Sequence, residues 1–171
     1  MSATEPDTAA ADREFPRPPL SFTDGEGREV TVRTADDDLA GLVAMYGQFG
    51  DGDRAQGLPP RGESRIRSWL AGLLDEGVHL VAVHGDRVVG HAALLPMGER
   101  HELVVFVEPA YQLAGIGTRL VRALLGEGQR RGVEAVWLTV HRHNRVAKRL
   151  YRSVGFRAVS RGREWEMERP L

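Results

Sequence analysis

A chain of 171 residues with 42% hydrophobic content is long enough to bury one core of its own. Its net charge of −1 gives no bulk field that would draw it to nucleic acid or to an anionic membrane. It has no cysteine, which excludes disulfides, thiolate nucleophiles and cysteine-based zinc sites.

No stretch approaches the roughly 20 apolar residues of a bilayer span, and no signal peptide opens the chain. A cytoplasmic location is therefore the expectation. Neither a nucleic acid nor a membrane is expected as a partner. The oligomeric state is not legible, which leaves a homodimer open.

Residues 1–19 are rich in Ala, Asp, Glu and Pro without a period, and are expected to form a flexible tail before one domain over 20–171. Leu20-Ser21-Phe22 and Val30-Thr31-Val32-Arg33 flank Asp24-Gly25-Glu26-Gly27, a hairpin signal. Asp36 to Asp38 supply an N-cap and negative first-turn charge for a helix through Leu39, Leu42, Val43 and Tyr46. A Gly/Pro/Asp loop over 50–62 follows. The spacing of Ile66, Trp69, Leu70, Leu73 and Leu74 predicts a second helix over 63–76.

Strands over 79–84 and 87–97 are joined by the turn Gly85-Asp86, and Gly98-Glu99 leads into a third strand over 101–107. A helix over 116–130 carries Ile116, Leu120, Val121, Leu124 and Leu125 on one face. A strand over 137–140, a helix over 144–154 closed by Gly155, and a hairpin turning at Arg161-Gly162 complete the chain. The three consecutive strands read as an antiparallel meander. The passage from 107 through a helix to 137 requires a parallel crossover. The fold class is therefore α/β (α+β), a mixed and mostly antiparallel sheet with one parallel β-α-β crossover.

Chemistry concentrates in Gln112-Leu113-Ala114-Gly115-Ile116-Gly117-Thr118, between the strand over 103–107 and the long helix. A tight turn that opens a helix leaves backbone N–H groups unpaired and pointing outward. Such a turn binds anions, phosphates above all. A dinucleotide-binding turn would need a third glycine where Leu120 stands, and an acidic residue where Thr139-Val140-His141 has none. A P-loop is excluded because no Gly-Lys-Ser/Thr follows.

Asn144 and Tyr151 lie seven residues apart and so share a helix face. The ordered set Gln112-x-x-Gly115-x-Gly117, Asn144, Leu150-Tyr151 and Gly155-Phe156 resembles the acetyl-CoA-binding half of the GNAT superfamily of N-acetyltransferases. The resemblance is strong over 102–156, fainter over 29–96 and absent before about residue 20. It implies the GNAT fold, acetyl-CoA as co-substrate, an amine acceptor, direct attack in a ternary complex, and no metal.

By that resemblance the backbone of Val105, Phe106 and Val107 pairs with the pantetheine arm. Gln112, Leu113, Ala114, Gly115, Ile116, Gly117 and Thr118 cradle the pyrophosphate, and Asn144 contacts the ligand. Tyr151 is then the proton donor to the thiolate leaving group, as a phenol with an ordinary pKa near 10 can be. As residues alone, Asn144 is equally a helix N-cap and Tyr151 a core aromatic.

The base is less defined. Relatives that acetylate protein N-termini carry a glutamate where Thr139 stands. Relatives that acetylate lysine carry one early in the pantetheine strand, where Glu102 stands. His101, adjacent and facing the other way, has a suitable ordinary pKa, and water alone is the remaining choice. The pair His141 and His143 reads as a polar loop in the absence of a convergent third ligand. Asp51 and Asp53 read as solvated loop residues or as an attraction for a cationic amine. A non-catalytic acyl-CoA-binding module is the alternative function.

Overall fold

The computed structural model describes residues 14–171. Eight strands form one sheet in the order β1-β2-β3-β4-β5-β6-β8-β7. They are β1 (Leu20–Thr23), β2 (Glu29–Thr34), β3 (Val78–His84), β4 (Arg87–Met97), β5 (Arg100–Val107), β6 (Ala135–His141), β7 (Arg157–Arg161) and β8 (Glu164–Pro170). Every neighbouring pair is antiparallel except β5 and β6. Helix α3 (Ile116–Arg130) makes the crossover between those two.

The last hairpin folds back so that β8, rather than β7, lies against β6. One face of the sheet is covered by α3 and α4 (Arg145–Ser153). The core there includes Leu120, Leu124, Leu138, Tyr151 and Met167. Burying each large apolar side chain contributes about 1.5–3 kcal/mol. The other face, over β3 to β5, is covered by α1 (Leu39–Tyr46) and α2 (Glu63–Leu73), with Leu42, Tyr46, Phe49, Ile66 and Leu70 buried. No helix among the described residues is long and apolar enough to cross a membrane.

Three local expectations need correction. Phe15, assigned to the tail, packs on the domain: it is buried in the main core and its N–H donates to Gln129 Oε1 at 3.0 Å. Residues 1–13 of the expected tail lie outside the described residues. Asp38 occupies the N-cap position of α1 but does not cap it, because Arg33 holds its carboxylate through two bonds of 2.8 Å. Helix α2 stops at Leu73, three residues before the predicted end, and Gly77 turns the chain with φ +84° into β3.

Beneath α1 lies a buried hydrogen-bond chain. The backbone carbonyl of Glu76 can only accept, so His79 donates to it through Nε2 at 2.8 Å. Both histidines are held neutral by burial, which pushes the His79 pKa down and that of His91 to about 3. His79 Nδ1 therefore accepts from His91 Nε2 at 3.0 Å, and His91 Nδ1 accepts the Tyr46 hydroxyl at 2.6 Å. The groups facing the pair are the Tyr46 hydroxyl from α1 and the Leu73 and Glu76 carbonyls at the end of α2. No carboxylate among the described residues acts on either ring.

Because the folded pKa of His91 lies below its unfolded value, the unfolded chain binds the extra proton. The stability is fully present above about pH 6.5 and is lost as the pH falls toward 3. At pH 5 the loss reaches about 2 kcal/mol. His91→Leu is expected to cost about 1–3 kcal/mol at pH 7, because Tyr46 loses its acceptor, and to flatten the decline between pH 7 and 5. Urea unfolding of both proteins across that range checks this. Parallel pH curves would contradict the assignment.

Candidate active site

β5 and β6 pair at only two positions, His101 with Val136 and Glu102 with Trp137. Beyond them the strands part, and β5 from Leu103 onward has no β6 neighbour. Its other edge stays fully paired with β4 through Val107. The result is a wedge-shaped gap inside a continuous sheet, with an open strand edge at Val105, Phe106 and Val107. An unpaired edge invites an extended ligand to add backbone-like hydrogen bonds.

Register fixes which side chains line each face of the gap. Residues paired across strands point the same way, and successive residues alternate. Leu103, Val105, Val107, Leu138 and Val140 face α3 and α4. Glu102, Val104 and Phe106 face the α1 and α2 side, together with Trp137 and Thr139. The face beyond Phe106 is aromatic. Tyr46, Phe49, Trp69 and Phe106 pack with ring centroids 5.1–6.2 Å apart.

The turn after β5 is built as the sequence suggests. A short 3₁₀ turn over Pro109–Tyr111 leads to Gly115, the N-cap of α3, at φ +88°, where any Cβ would be strained. Leu113 also has a positive φ, +59°, and is 86% exposed. A leucine in that conformation is uncommon, and such strain concentrates where a ligand is bound. Gln112 is not free in the turn: its side-chain amide donates to the Val107 carbonyl at 3.0 Å, tying the turn to the strand end. Ala114 and Ile116 are buried, so their side chains anchor the turn, and only their backbone is available to a ligand. Gly117 and Thr118 are half-buried in the first turn of α3. A Cβ on Gly117 would lie 3.6 Å from Leu150 and 3.7 Å from Val107, which places α4 against this turn.

Tyr151 lies on α4, on the α3 side of the gap, with its ring edge-on to Phe156 at 5.8 Å. Burial pushes its pKa up to about 12, so it is fully protonated at neutral pH. Its hydroxyl has no partner among the described residues, yet it is not sealed from solvent. Asn144 is the N-cap of α4, its Oδ1 accepting from Ala147 N–H at 3.0 Å, which leaves its amide nitrogen for other contacts.

Glu102 is half-buried at the last paired position of the gap, on the side opposite Tyr151. Burial pushes its pKa above the usual carboxylate value, and its carboxylate pairs with no described residue. His101 points the other way, toward the face that holds Tyr151, and its Nδ1 is buried without a partner among the described residues. The structure thus separates the two candidate bases onto opposite faces.

The loop aspartates stabilise the loop. Asp51 bridges to Arg54 and Arg61 at 3.1 and 3.0 Å, and Asp53 accepts the Gly50 N–H at 2.8 Å. His141 and His143 contact each other and Arg142, without a third ligand-type side chain among the described residues. Sequence reasoning missed Gln56 in the same loop, whose side chain reaches across to β6 and β8. The one local signal is Gln56-Gly57, a weak relative of the Asn-Gly turn pair.

The model of the Acetyltransferase (GNAT) family matches residues 53–156, which include β5, the turn, α3, β6 and α4. The chain is similar to the [ribosomal protein bS18]-alanine N-acetyltransferase of Haemophilus ducreyi, 41% identical over 54 residues, 32% of this chain and 37% of that one. It is also similar to the N-alpha-acetyltransferase RimI of Mycobacterium tuberculosis, 42% identical over 86 residues, 47% of this chain and 52% of that one. The matched parts of these curated relatives are about half of their length or less. Among solved structures, the GNAT domain of S. lividans PAT superposes with a TM-score of 0.75 over 90% of this chain and 97% of that one. At 17% identity, that likeness shows the fold.

Proposed function

Since the chain belongs to the acetyltransferase (GNAT) family, we propose that it moves the acetyl group of acetyl-CoA onto a primary amine by direct attack in a ternary complex. The observation that carries this reading is the gap between β5 and β6, with an anion-binding turn at one end and acid and base candidates on opposite faces.

In this reading the N–H groups over 113–118 hold the pyrophosphate at the N-terminus of α3, where the helix dipole favours negative charge. The open edge at Val105, Phe106 and Val107 orients the pantetheine arm, and Asn144 closes the site from α4. The acceptor enters from the Glu102 face. The amine nitrogen bonds to the acetyl carbonyl carbon and the C–S bond breaks. The amine's proton passes to Glu102, directly or through water, and the sulfur takes the Tyr151 proton. Protein N-terminal amines are supported as acceptors by the names of the alanine and N-alpha acetyltransferases above. Thr139 in place of a glutamate is the departure that moves the base to Glu102.

Release of free CoA thiol in the presence of an amine panel tests the proposal. Amine-dependent release is expected. Tight acetyl-CoA binding with no release for any amine would instead mark a binding module. Glu102→Gln is expected to lower kcat/KM and to remove the acidic limb of its pH profile, since a carboxylate with a raised pKa must be deprotonated to act. An unchanged profile would hand the role to His101 or to water.

A further inference from the structure

The loop between α1 and α2 carries at its tip a two-residue turn. Ala55 and Leu58 exchange two backbone hydrogen bonds of 3.0 Å, and Gln56 and Gly57 both lie in the left-handed region at φ +56° and +76°. This is the primed turn of tight hairpins, which favours Asn-Gly at its centre. The base of the loop is braced by Asp51 on Arg54 and Arg61, and by Arg54 Nε donating to the Pro59 carbonyl at 2.8 Å.

The Gln56 amide nitrogen donates to Thr139 Oγ1 at 3.1 Å and to Glu164 Oε1 at 2.8 Å. Thr139 lies two residues past the last β5–β6 pair, on the Glu102 face, and Glu164 follows on β8. The loop is rooted in helices that cover β3 to β5, and its tip is fastened to β6 and β8. It therefore bridges the gap on the face from which the acceptor arrives. Beside it, Arg100 ties Glu166 and Glu168 together and stacks on Trp137, 5.2 Å from its ring centroid, so the far bank of the gap is also fixed.

We propose that Gln56 is a specificity-determining latch: by fastening the loop to Thr139 and Glu164 it narrows the acceptor entrance to slender primary amines, small molecules or extended peptide ends, and excludes amines on folded protein surfaces. This rests on the acetyltransferase reading. The latch is a single exposed side chain on an otherwise braced loop, so it opens by breaking two hydrogen bonds, one of them charge-assisted.

Gln56→Asn keeps the turn, since Asn-Gly suits it better, and shortens the reach by one methylene. Glu164→Ala removes the anchor from the other side. Each variant is assayed with a small amine, a short peptide with a free N-terminus and a folded protein bearing surface amines, and acetyl-CoA affinity is measured in parallel. Both variants are expected to raise kcat/KM for the folded protein relative to the small amine by roughly tenfold, the scale of one lost charge-assisted hydrogen bond, with acetyl-CoA affinity unchanged. Transfer by the wild-type chain with the same selectivity in both variants overturns the latch alone. Absence of transfer to any amine by the wild-type chain overturns the acetyltransferase reading and the latch with it.

Discussion

Tyr151→Phe is expected to lower kcat by about 100- to 10,000-fold, the range of a lost general acid, while leaving acetyl-CoA affinity nearly unchanged. The substitution deletes one oxygen that has no partner among the described residues, so the folded state loses no hydrogen bond to it. The ring stays packed against Phe156 and the neighbouring core of α4. A phenol whose pKa burial has pushed up to about 12 holds its proton throughout the working pH range, so the donor is present whenever the C–S bond breaks. Steady-state kinetics with a saturating amine, beside a calorimetric titration with acetyl-CoA, separates the two effects. An equal loss of affinity and turnover would make Tyr151 a packing residue instead.

Gly117→Glu is expected to abolish acetyl-CoA binding with the fold intact. Gly117 sits in the first turn of α3 and its φ is not in the left-handed region, so a side chain brings no backbone strain. The space its Cβ would occupy is in ordinary contact with Leu150 and Val107. The damage is electrostatic and steric: a carboxylate placed among the N–H groups of a helix N-terminus occupies the position of a phosphate and repels another. Calorimetric titration of both proteins decides it, with circular dichroism as the control for folding. Equal affinities would move the pyrophosphate elsewhere.

Much of this site is legible from local sequence because it is locally built. The turn Gln112 to Thr118 is contiguous, and its helix spans Ile116–Arg130 as the apolar spacing predicts. Asn144 and Tyr151 are set on one helix by their spacing, and β4 ends where its apolar run ends. What was not legible depends on distant partners. Gln56 meets residues 83 and 108 positions away, and no periodicity carries that information. Asp38 matches an N-cap in pattern, yet the guanidinium of Arg33 competes for it and wins with two bonds. Phe15 sits in a segment of disorder-like composition, yet its buried ring, stacked by the Arg169 guanidinium, and its N–H bond to Gln129 dock it. The Tyr46–His91–His79 chain likewise joins three elements whose sequences look unremarkable apart.

In the proposed complex, acetyl-CoA lies along the open edge of β5 with its pyrophosphate on the turn before α3. Amide hydrogen exchange of the intact protein, with and without acetyl-CoA and with NAD as a control, tests it most directly. Slowed exchange is expected at Val105 and Val107, whose N–H groups alternate onto the open edge, and over 113–118 with acetyl-CoA, and not with NAD. Unchanged exchange at those amides in the presence of bound acetyl-CoA, or equal protection by NAD, would contradict the account.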